Sequence, residues 1–260
     1  MPQPTTVPDP IAYMDTAART AAGQDYKQRL TVALDLRPGQ TVADVGCGPG
    51  TDLARLADAV TVAGSVVGID REPKMLAEAG RRLADRPNVD LRLGDAHALP
   101  LADASVDRAK VDRVLQHVED PAAAVAEAFR VLRPGGVFGM AEPDWDTLAV
   151  ADEDVRTSRG FARFVAGTVR NQTIGRQLVR LSTRAGFRVR SVDAVAVVFR
   201  EFAVADQILG LRRLSARAVE AGDLTAAHVE AWLRRLADET FLAGFTCYIV
   251  TAQVPLETPR

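Results

Sequence analysis

Apolar positions along the chain follow two spacings that alternate with each other. Compact apolar runs, typical of buried strands, occupy residues 41–45, 66–69, 89–93, 106–111 and 136–141. Between them, at residues 51–59, 73–84 and 121–132, apolar residues recur every three or four positions, as they do in helices. This β–α alternation predicts an α/β fold with a mostly parallel sheet and helices on both of its faces.

The two ends of the chain depart from this alternation. Four prolines within the first ten residues indicate a flexible leader, and a helical pattern follows at residues 13–34. Toward the other end, the pattern predicts helices at 152–169, 174–185, 206–221 and 226–242. Residues 187–199 and 245–254 are rich in strand-forming residues, so the last part of the chain combines both kinds of element.

Composition narrows the classes of protein that remain. The 32 basic and 34 acidic side chains nearly cancel, so there is no general electrostatic attraction to nucleic acid or to an anionic membrane. Cys47 and Cys247 are too few for a disulfide framework or a four-cysteine zinc site. The sequence shows neither a secretory signal nor an apolar run long enough to cross a membrane, and we therefore expect a cytoplasmic protein.

The most informative segment is the glycine-rich stretch Val42-Ala-Asp-Val-Gly-Cys-Gly-Pro-Gly-Thr-Asp52. It joins a predicted strand to a predicted helix, and Asp70 ends the next predicted strand. A P-loop needs a lysine after its last glycine, and a dinucleotide-binding turn needs a glycine where this chain has Thr51. Glycines at 46, 48 and 50 fit instead a turn that approaches the amino-acid end and ribose of S-adenosylmethionine.

Five segments in order resemble the motifs of the class I S-adenosylmethionine-dependent methyltransferases, close to the ubiquinone- and menaquinone-biosynthesis branch. They are Asp44-Val-Gly-Cys-Gly-Pro-Gly50, Val67-Gly-Ile-Asp-Arg-Glu-Pro-Lys-Met-Leu76, Leu93-Gly-Asp-Ala-His-Ala-Leu-Pro100, residues 107–121, and Arg130-Val-Leu-Arg-Pro-Gly-Gly136. The resemblance implies a Rossmann-like, doubly wound sheet of seven strands, with an antiparallel final strand pair and a helical cap. It further implies lid helices at 1–36, a cofactor-binding core at 37–142, and the rest of the core at 143–260 with cap insertions near 144–173 and 202–242.

The resemblance also implies which residues bind S-adenosylmethionine and retain S-adenosylhomocysteine as product. They are Tyr13, Gly46, Cys47, Gly48, Asp70, Arg71, Met75, Asp95, Ala96, Val111 and Arg113. Asp70 is expected to accept hydrogen bonds from the ribose hydroxyls, Asp95 and Ala96 to meet the adenine, and Tyr13 to cover the cofactor. Ordinary structural roles stay open for several of them: a helix cap for Asp70, core packing for Met75 and Tyr13, and a salt bridge for Arg113.

His117 and Glu142 are the candidate catalytic bases, because each follows a predicted strand on the side where the methyl group would emerge. His117 could equally order the cofactor pocket. Together with Asp144 and Trp145 it is also a candidate for acceptor binding, although the segment from Glu142 could simply form a turn. No resident metal site is expected, since the histidines are scattered and lack zinc-ligand spacing. Binding of Mg²⁺ by the carboxylates of Glu142, Asp144 and Asp146, for a catechol or diphosphate acceptor, stays open.

The function expected from the resemblance is methyl transfer, by in-line displacement, to an O, N or C atom of a small molecule of specialised metabolism. The residues after the fourth predicted strand lack the segment typical of nucleic-acid amine methyltransferases, so nucleic acid is not an expected partner. A membrane is not expected either, because the charges of the chain nearly cancel. Three alternatives remain: another chemistry that uses the same cofactor, a binding module, and a nicotinamide-dependent oxidoreductase. No pattern in the sequence predicts an oligomeric state.

Overall fold

A computed structural model describes residues 9–256, so most of the proline-rich leader lies outside the described residues. Seven strands in this part of the chain form one sheet. They are β1 (Thr41–Val45), β2 (Ser65–Asp70), β3 (Val89–Leu93), β4 (Val106–Asp112), β5 (Leu132–Val150), β6 (Arg188–Phe199) and β7 (Ala243–Gln253). Their order is β3-β2-β1-β4-β5-β7-β6, in which β7 pairs antiparallel with both β5 and β6 while the remaining pairs are parallel. The predicted seven-stranded sheet with an antiparallel final pair is therefore confirmed.

Ten helices of the described chain cover the sheet. They are α1 (Pro10–Arg19), α2 (Ala21–Ala33), α3 (Leu53–Val60), α4 (Pro73–Arg82), α5 (Pro121–Val131), α6 (Val155–Gly167), α7 (Ile174–Arg184), α8 (Phe202–Leu209), α9 (Leu211–Glu220) and α10 (Ala226–Asp238). A proline opens α1, α4 and α5, where its missing N–H would have had no helical partner anyway. The Asp120 side chain also caps α5, accepting hydrogen bonds from two backbone amides of its first turn.

Two segments predicted as single helices are each divided in two. The first pattern breaks at Thr20, whose extended backbone ends α1 and whose hydroxyl accepts a hydrogen bond from Gly23 N at 3.0 Å. The pattern at 206–221 breaks at Gly210, which has a φ of 65° and separates α8 from α9. Both breaks occur at residues suited to a helix end, a capping threonine and a left-handed glycine.

Strand β5 is much longer than the apolar run that predicts it. It continues from Leu132 to Val150 because β7 pairs with it from Val137 to Asp144 and again at Ala149 and Val150. The acidic segment that begins at Glu142, for which a turn stayed open, is part of this strand.

The apolar core lies on both faces of the sheet. One cluster joins Tyr26, Leu30 and Leu34 of α2 to side chains of β5, β6, β7, α6, α8, α9 and α10. N-terminal and C-terminal parts of the chain therefore share one core, and α2 is built into it. Among residues 9–256, no helix is both long enough and apolar enough to span a lipid bilayer.

Candidate functional site

The principal candidate site is a cavity of about 290 Å³ at the carboxyl ends of the parallel strands. Its floor and walls come from four segments: the glycine-rich turn after β1, Asp70 with the start of α4, residues 94–97 after β3, and residues 110, 112–114 and 116–118 at and after the end of β4. Tyr13, Met14, Ala17 and Ala18 of α1 line another side. Ligands of open α/β sheets bind at this edge, where the loops after neighbouring strands meet.

The turn after β1 brings backbone close to the cavity. Gly46 and Gly48 adopt φ values of 73° and 54°, which a residue with a side chain adopts only with strain. A Cβ added at Gly46 would lie 2.4 Å from a methyl carbon of Val114. The turn is held to β2 by hydrogen bonds of 2.7 and 3.0 Å from the amides of Gly46 and Cys47 to the Ile69 carbonyl.

Asp70 is fixed between this turn and the start of α4. Its Oδ2 accepts a hydrogen bond of 2.8 Å from Gly48 N, and its Oδ1 accepts one of 3.0 Å from Glu72 N. Residue Glu72, rather than Asp70, stands at the N-cap position of α4. The carboxylate therefore has a set orientation at the cavity wall.

Asp95 and His97 form a hydrogen-bonded polar pair in the cavity wall. Asp95 Oδ1 accepts a hydrogen bond of 2.8 Å from His97 N and lies 2.5 Å from His97 Nδ1. These hydrogen bonds lower the pKa of Asp95, which therefore stays ionised at neutral pH. His97 Nε2 in turn lies 3.1 Å from the backbone amide of Asp120.

Arg113 stands at the inner end of the cavity in an unusual backbone conformation. Its φ is 59°, in the left-handed region that is rare for a residue with a long side chain. Its Nη2 donates a hydrogen bond of 2.8 Å to the hydroxyl of Tyr13, and the guanidinium lies 5.6 Å from the centroid of that ring. Tyr13 and Arg113, which are 100 residues apart in the chain, are thus in direct contact.

A buried ionic cluster lies beside the cavity, formed by Lys27, Asp44, Asp52, Lys110 and Asp112. Lys110 Nζ lies 3.1 Å from Asp44 and 3.0 Å from Asp52, and Lys27 Nζ lies 2.7 Å from Asp52 and also contacts Asp112. Asp44 and Lys110 are register partners on β1 and β4, which explains why their side chains meet. Three elements, α2, the start of α3 and the sheet, are tied together by these charges.

Burial and charge act in opposite directions within this cluster. Burial raises the pKa of Asp44 to about 6, although Lys110 opposes that shift. Burial alone would also raise the pKa of Asp52, but Lys110 and Lys27 outweigh it and hold this pKa far below its ordinary value. Asp52 is therefore the permanently charged centre of the cluster.

His117 lines the cavity from its exposed side. Its backbone amide donates a hydrogen bond of 2.9 Å to the Val114 carbonyl, which fixes the turn that carries it. Desolvation of the ring, followed by the charges of Arg113 and Arg71, lowers the pKa of His117 below its ordinary value. The imidazole is therefore neutral at physiological pH and able to accept a proton.

The structure places Glu142 away from the cavity and corrects its assignment as a catalytic base. Its fully buried carboxylate accepts hydrogen bonds from the backbone amides of Val114, Leu115 and Gln116 at 2.8, 2.6 and 3.3 Å. Burial raises the pKa of Glu142 to about 8. The side chain orders the loop after β4, and it does not line the cavity.

Asp144, Trp145 and Val111 are likewise absent from the cavity wall, which corrects their expected contacts with acceptor and cofactor. Asp144 is fully buried and forms an ion pair with Arg176 of α7, with Nη2 to Oδ1 at 2.7 Å. Trp145 donates a hydrogen bond of 2.8 Å from Nε1 to Gln116 Oε1. Val111 faces the apolar core from β4.

The other residues expected at the site do line the cavity together. They are Tyr13, Gly46, Cys47, Gly48, Asp70, Arg71, Met75, Asp95, Ala96, Arg113 and His117. Sequence reasoning missed Tyr26 and Lys27 of α2 and the charged side chains of Asp44, Lys110 and Asp112. The available signal was the presence of Asp44 and Lys110 inside otherwise apolar strands, since buried charges are rare without partners or function.

Comparison with known proteins agrees with this geometry. The family model described as "Methyltransferase domain" matches residues 43–140, the part of the chain that builds most of the cavity. A demethylmenaquinone methyltransferase from Renibacterium salmoninarum is 42% identical over 146 residues, which are 52% of this chain and 59% of that protein. The chain belongs to the class I S-adenosylmethionine-dependent methyltransferases.

Two further similarities extend over nearly the whole chain. An uncharacterized 37.1 kDa protein in transposon TN4556 of Streptomyces fradiae is 51% identical over 250 residues, covering 96% of this chain and 72% of its own. The crystal structure of an S-adenosylmethionine-dependent methyltransferase from Aquifex aeolicus has a TM-score of 0.57 at 18% identity, covering 95% of this chain and 100% of that one. The second similarity shows the fold alone.

The residues present fit the cofactor of this family. The cavity offers an oriented carboxylate at the end of β2, a further acid after β3 and a glycine-rich turn whose backbone is accessible. Asp112 Oδ1 and Arg113 Nε are buried at its inner end without a hydrogen-bond partner among the described residues. Unpaired buried polar atoms cost stability unless a ligand or water satisfies them, as expected for a binding site.

Proposed function

We propose that the protein transfers the methyl group of S-adenosylmethionine to an O, N or C atom of a small molecule of specialised metabolism. The observation that carries this proposal is the placement of Asp70. Its carboxylate is held by two backbone amides at the cavity wall, directly beside the glycine-rich turn. A carboxylate fixed in this way can accept hydrogen bonds from both hydroxyls of a ribose.

The other cavity residues take roles that follow from their positions. Asp95 and the backbone at Ala96 stand where an adenine amine can be bound, Met75 supplies an apolar surface for the ring, and Tyr13 covers the opposite side. The bound cofactor supplies a methyl group that is already strongly electrophilic. The chain therefore has to orient the acceptor and exclude water, and orientation alone can lower a barrier by about 7–11 kcal/mol at its favourable limit.

A small acceptor is supported by the way the cavity is enclosed. Helix α1 lines the cavity opposite the sheet edge and is fastened to α4 by Asp15, whose carboxylate pairs with Arg82 at 2.7 and 2.8 Å. A duplex or a folded protein would need this helix to move aside. The formal net charge of −2 also offers no electrostatic attraction to nucleic acid.

His117 is the candidate general base for acceptors that carry a proton. It lines the cavity, and its lowered pKa keeps the imidazole unprotonated near neutral pH. Asp70 ends β2 and Asp95 follows β3, so a substitution of His117 can be tested separately from these two cofactor contacts.

Isothermal titration calorimetry with two ligands tests this proposed function. The purified protein is titrated with S-adenosylhomocysteine and, separately, with NADH under the same conditions. We expect one S-adenosylhomocysteine per chain and NADH binding at least about a hundredfold weaker, a difference of about 2.8 kcal/mol. Binding of NADH in preference would favour an oxidoreductase and contradict the proposal.

A further inference from the structure

A smaller cavity adjoins the inner end of the candidate site. It has a volume of about 20 Å³, and Ala17, Tyr26 and Arg113 line both cavities. Its remaining wall is formed mainly by apolar side chains of the sheet and of α8. They are Pro143, Val197, Phe199, Ile208, Phe245 and Cys247.

Arg113 is the one permanently charged residue among those that line the smaller cavity. Its Nε is buried and finds no hydrogen-bond acceptor within residues 9–256, while its Nη2 is taken by Tyr13. A guanidinium cannot lose its proton in a protein, so the unpaired N–H remains a charged donor. Leaving a charged donor of this kind buried and unpaired destabilises a protein more than leaving a neutral group unpaired.

The backbone of Arg113 provides a second, independent observation. Its φ of 59° places a long, non-glycine residue in the left-handed region, where the backbone is strained. The conformation is held by a hydrogen bond of 2.9 Å from Arg113 N to the Ala141 carbonyl and by the contact of the side chain with Tyr13. Strain of this kind concentrates at ligand-binding positions, where it fixes the direction of a side chain.

We propose that Arg113 binds an anionic oxygen of the methyl acceptor, a carboxylate or phenolate borne on an apolar molecule. An apolar substituent of this acceptor occupies the smaller cavity against Phe199, Ile208 and Phe245. The inference rests on the proposed methyl transfer and adds the chemical class of the acceptor. An apolar wall with a single cationic donor favours such a molecule over an amine, which Arg113 would repel.

A carboxylate acceptor needs no proton acceptor, because it is already ionised near neutral pH, whereas a phenol must first lose its proton to His117 or to water. The transfer step is then the same for both. The carboxylate or phenolate oxygen donates a lone pair to the methyl carbon, and the bond from that carbon to sulfur breaks with its electrons remaining on sulfur. The products are a neutral ester or ether and the neutral thioether S-adenosylhomocysteine, and no proton is released. Arg113 keeps the oxygen ionised and positioned before transfer.

The competing role for Arg113 is to bind the carboxylate of the cofactor itself. Other groups at the candidate site are available for that carboxylate, since Lys27 and Thr51 line its cavity beside the start of α3. Free amides at a helix N-terminus attract anions. The two roles give different results in binding experiments.

The test compares a charged probe with its neutral isostere on protein saturated with S-adenosylhomocysteine. The probes are 4-methylbenzoate and 4-methylbenzamide, measured by calorimetry. We expect the benzoate to bind at least tenfold more tightly, the Arg113→Met variant to reduce this ratio to about one, and Arg113→Lys to restore part of it. Arg180→Met, which removes an exposed arginine of α7, leaves the ratio unchanged.

Each contrary outcome has a distinct meaning. Equal binding of the two probes to the wild-type protein, or no binding of either, overturns the inference. So does a loss of more than tenfold in S-adenosylhomocysteine affinity in Arg113→Met with unchanged binding of 5′-methylthioadenosine, because that pattern assigns Arg113 to the cofactor carboxylate. A wild-type protein that fails to bind S-adenosylhomocysteine contradicts the proposed function instead.

A variant that fills the smaller cavity keeps the test independent of Arg113 folding defects. Ile208→Trp places a larger side chain in the apolar wall without touching the cofactor cavity. We expect it to weaken 4-methylbenzoate binding at least tenfold while S-adenosylhomocysteine affinity changes less than threefold. Unchanged benzoate binding in this variant would place the probe elsewhere.

Discussion

Asp70 is oriented by backbone, and this makes it the sharpest single-residue test of cofactor binding. We expect Asp70→Ala to weaken S-adenosylhomocysteine binding at least tenfold in calorimetry, because hydrogen bonds to a charged group contribute roughly 1.5–3 kcal/mol. The loss also removes the acceptor for Gly48 N, so the glycine-rich turn loosens as well.

A matched control for this variant is Asp90→Ala. Asp90 is an exposed acid of β3 that pairs with Arg92 and does not line the cavity. It should leave S-adenosylhomocysteine affinity unchanged. Equal losses in the two variants would show that the effect of Asp70→Ala is not specific to the cavity.

Residues of the cavity were predictable where their role depends on nearby sequence. Gly46, Gly48 and Asp70 belong to a strand–turn–helix unit whose geometry is local, so spacing alone places them correctly. The positions of Asp144 and Glu142 were not predictable, because the directions of their side chains depend on β7 and on α7, which lie far along the chain. Their acidic character suggested surface chemistry, whereas their actual partners are Arg176 and the backbone amides after β4.

Glu142 of β5 holds the loop after β4 through three backbone amides, and its raised pKa makes its contribution to stability depend on pH. Its pKa is raised from 4.5 to about 8 in the folded protein, so between these values the folded state holds a proton that the unfolded chain releases. Stability contributed by this group therefore falls as pH rises through that window. We expect the unfolding free energy of the wild type to drop by roughly 2 kcal/mol relative to Glu142→Gln between pH 6 and pH 8.

Urea denaturation of both proteins at the two pH values measures this difference. Glutamine is neutral and nearly isosteric, so it removes the titration. Its Oε1 can still accept hydrogen bonds from Val114 N and Leu115 N, whereas its NH₂ group cannot accept one from Gln116 N, a loss that is the same at both pH values. If the difference stays constant or grows with pH, the three backbone amides keep the carboxylate ionised in the folded state and the expectation is wrong.

At the scale of elements, the division between α8 and α9 depends on one glycine. Gly210 has a φ of 65°, so Gly210→Ala should destabilise the protein by about 1–2 kcal/mol, the cost of left-handed backbone for a residue with a Cβ. Gly167, the last residue of α6, has no positive φ and open space around its missing Cβ. Gly167→Ala should instead stabilise the protein by about 0.5–1 kcal/mol.

Chemical denaturation of the two glycine variants provides the comparison. Opposite signs are the expected result, since both replacements add the same methyl group in different backbone conformations. A loss of stability in both would mean that the added methyl, rather than φ, sets the effect.

The elements themselves were predictable in kind more often than in extent. The spacing of apolar residues predicted whether each segment is a helix or a strand. It did not predict the length of β5, which extends nine residues beyond the predicted run because β7 supplies hydrogen-bond partners up to Val150. The break at Thr20 is another limit of periodicity, since α1 and α2 both present apolar residues at helical spacing. Only a capping threonine distinguishes two helices from one.

At the scale of the whole molecule, buried charges connect α2 to the sheet. Lys27 pairs with Asp52 and Asp112, and its side chain is 11% exposed. Lys27→Met would leave two carboxylates with reduced compensation, and we expect a loss of roughly 3–5 kcal/mol in unfolding free energy. The control Lys74→Met removes an exposed pair with Asp9, which should change stability little.

Thermal and urea unfolding of these two lysine variants measure the difference. Because both replacements remove one charge and keep a similar aliphatic stem, the contrast reports burial. Equal effects would mean that the ionic cluster contributes no more than a surface pair.

The position of Tyr26, Leu30 and Leu34 in the same apolar cluster as the C-terminal strands has a practical consequence for shortened forms of the protein. A fragment that started at residue 37 would expose the hydrophobic surface that α2 covers. It would also lack Lys27, which leaves Asp112 without its lysine partner and Asp52 with Lys110 alone. Such a fragment should aggregate on expression, even though it would retain every glycine of the glycine-rich turn.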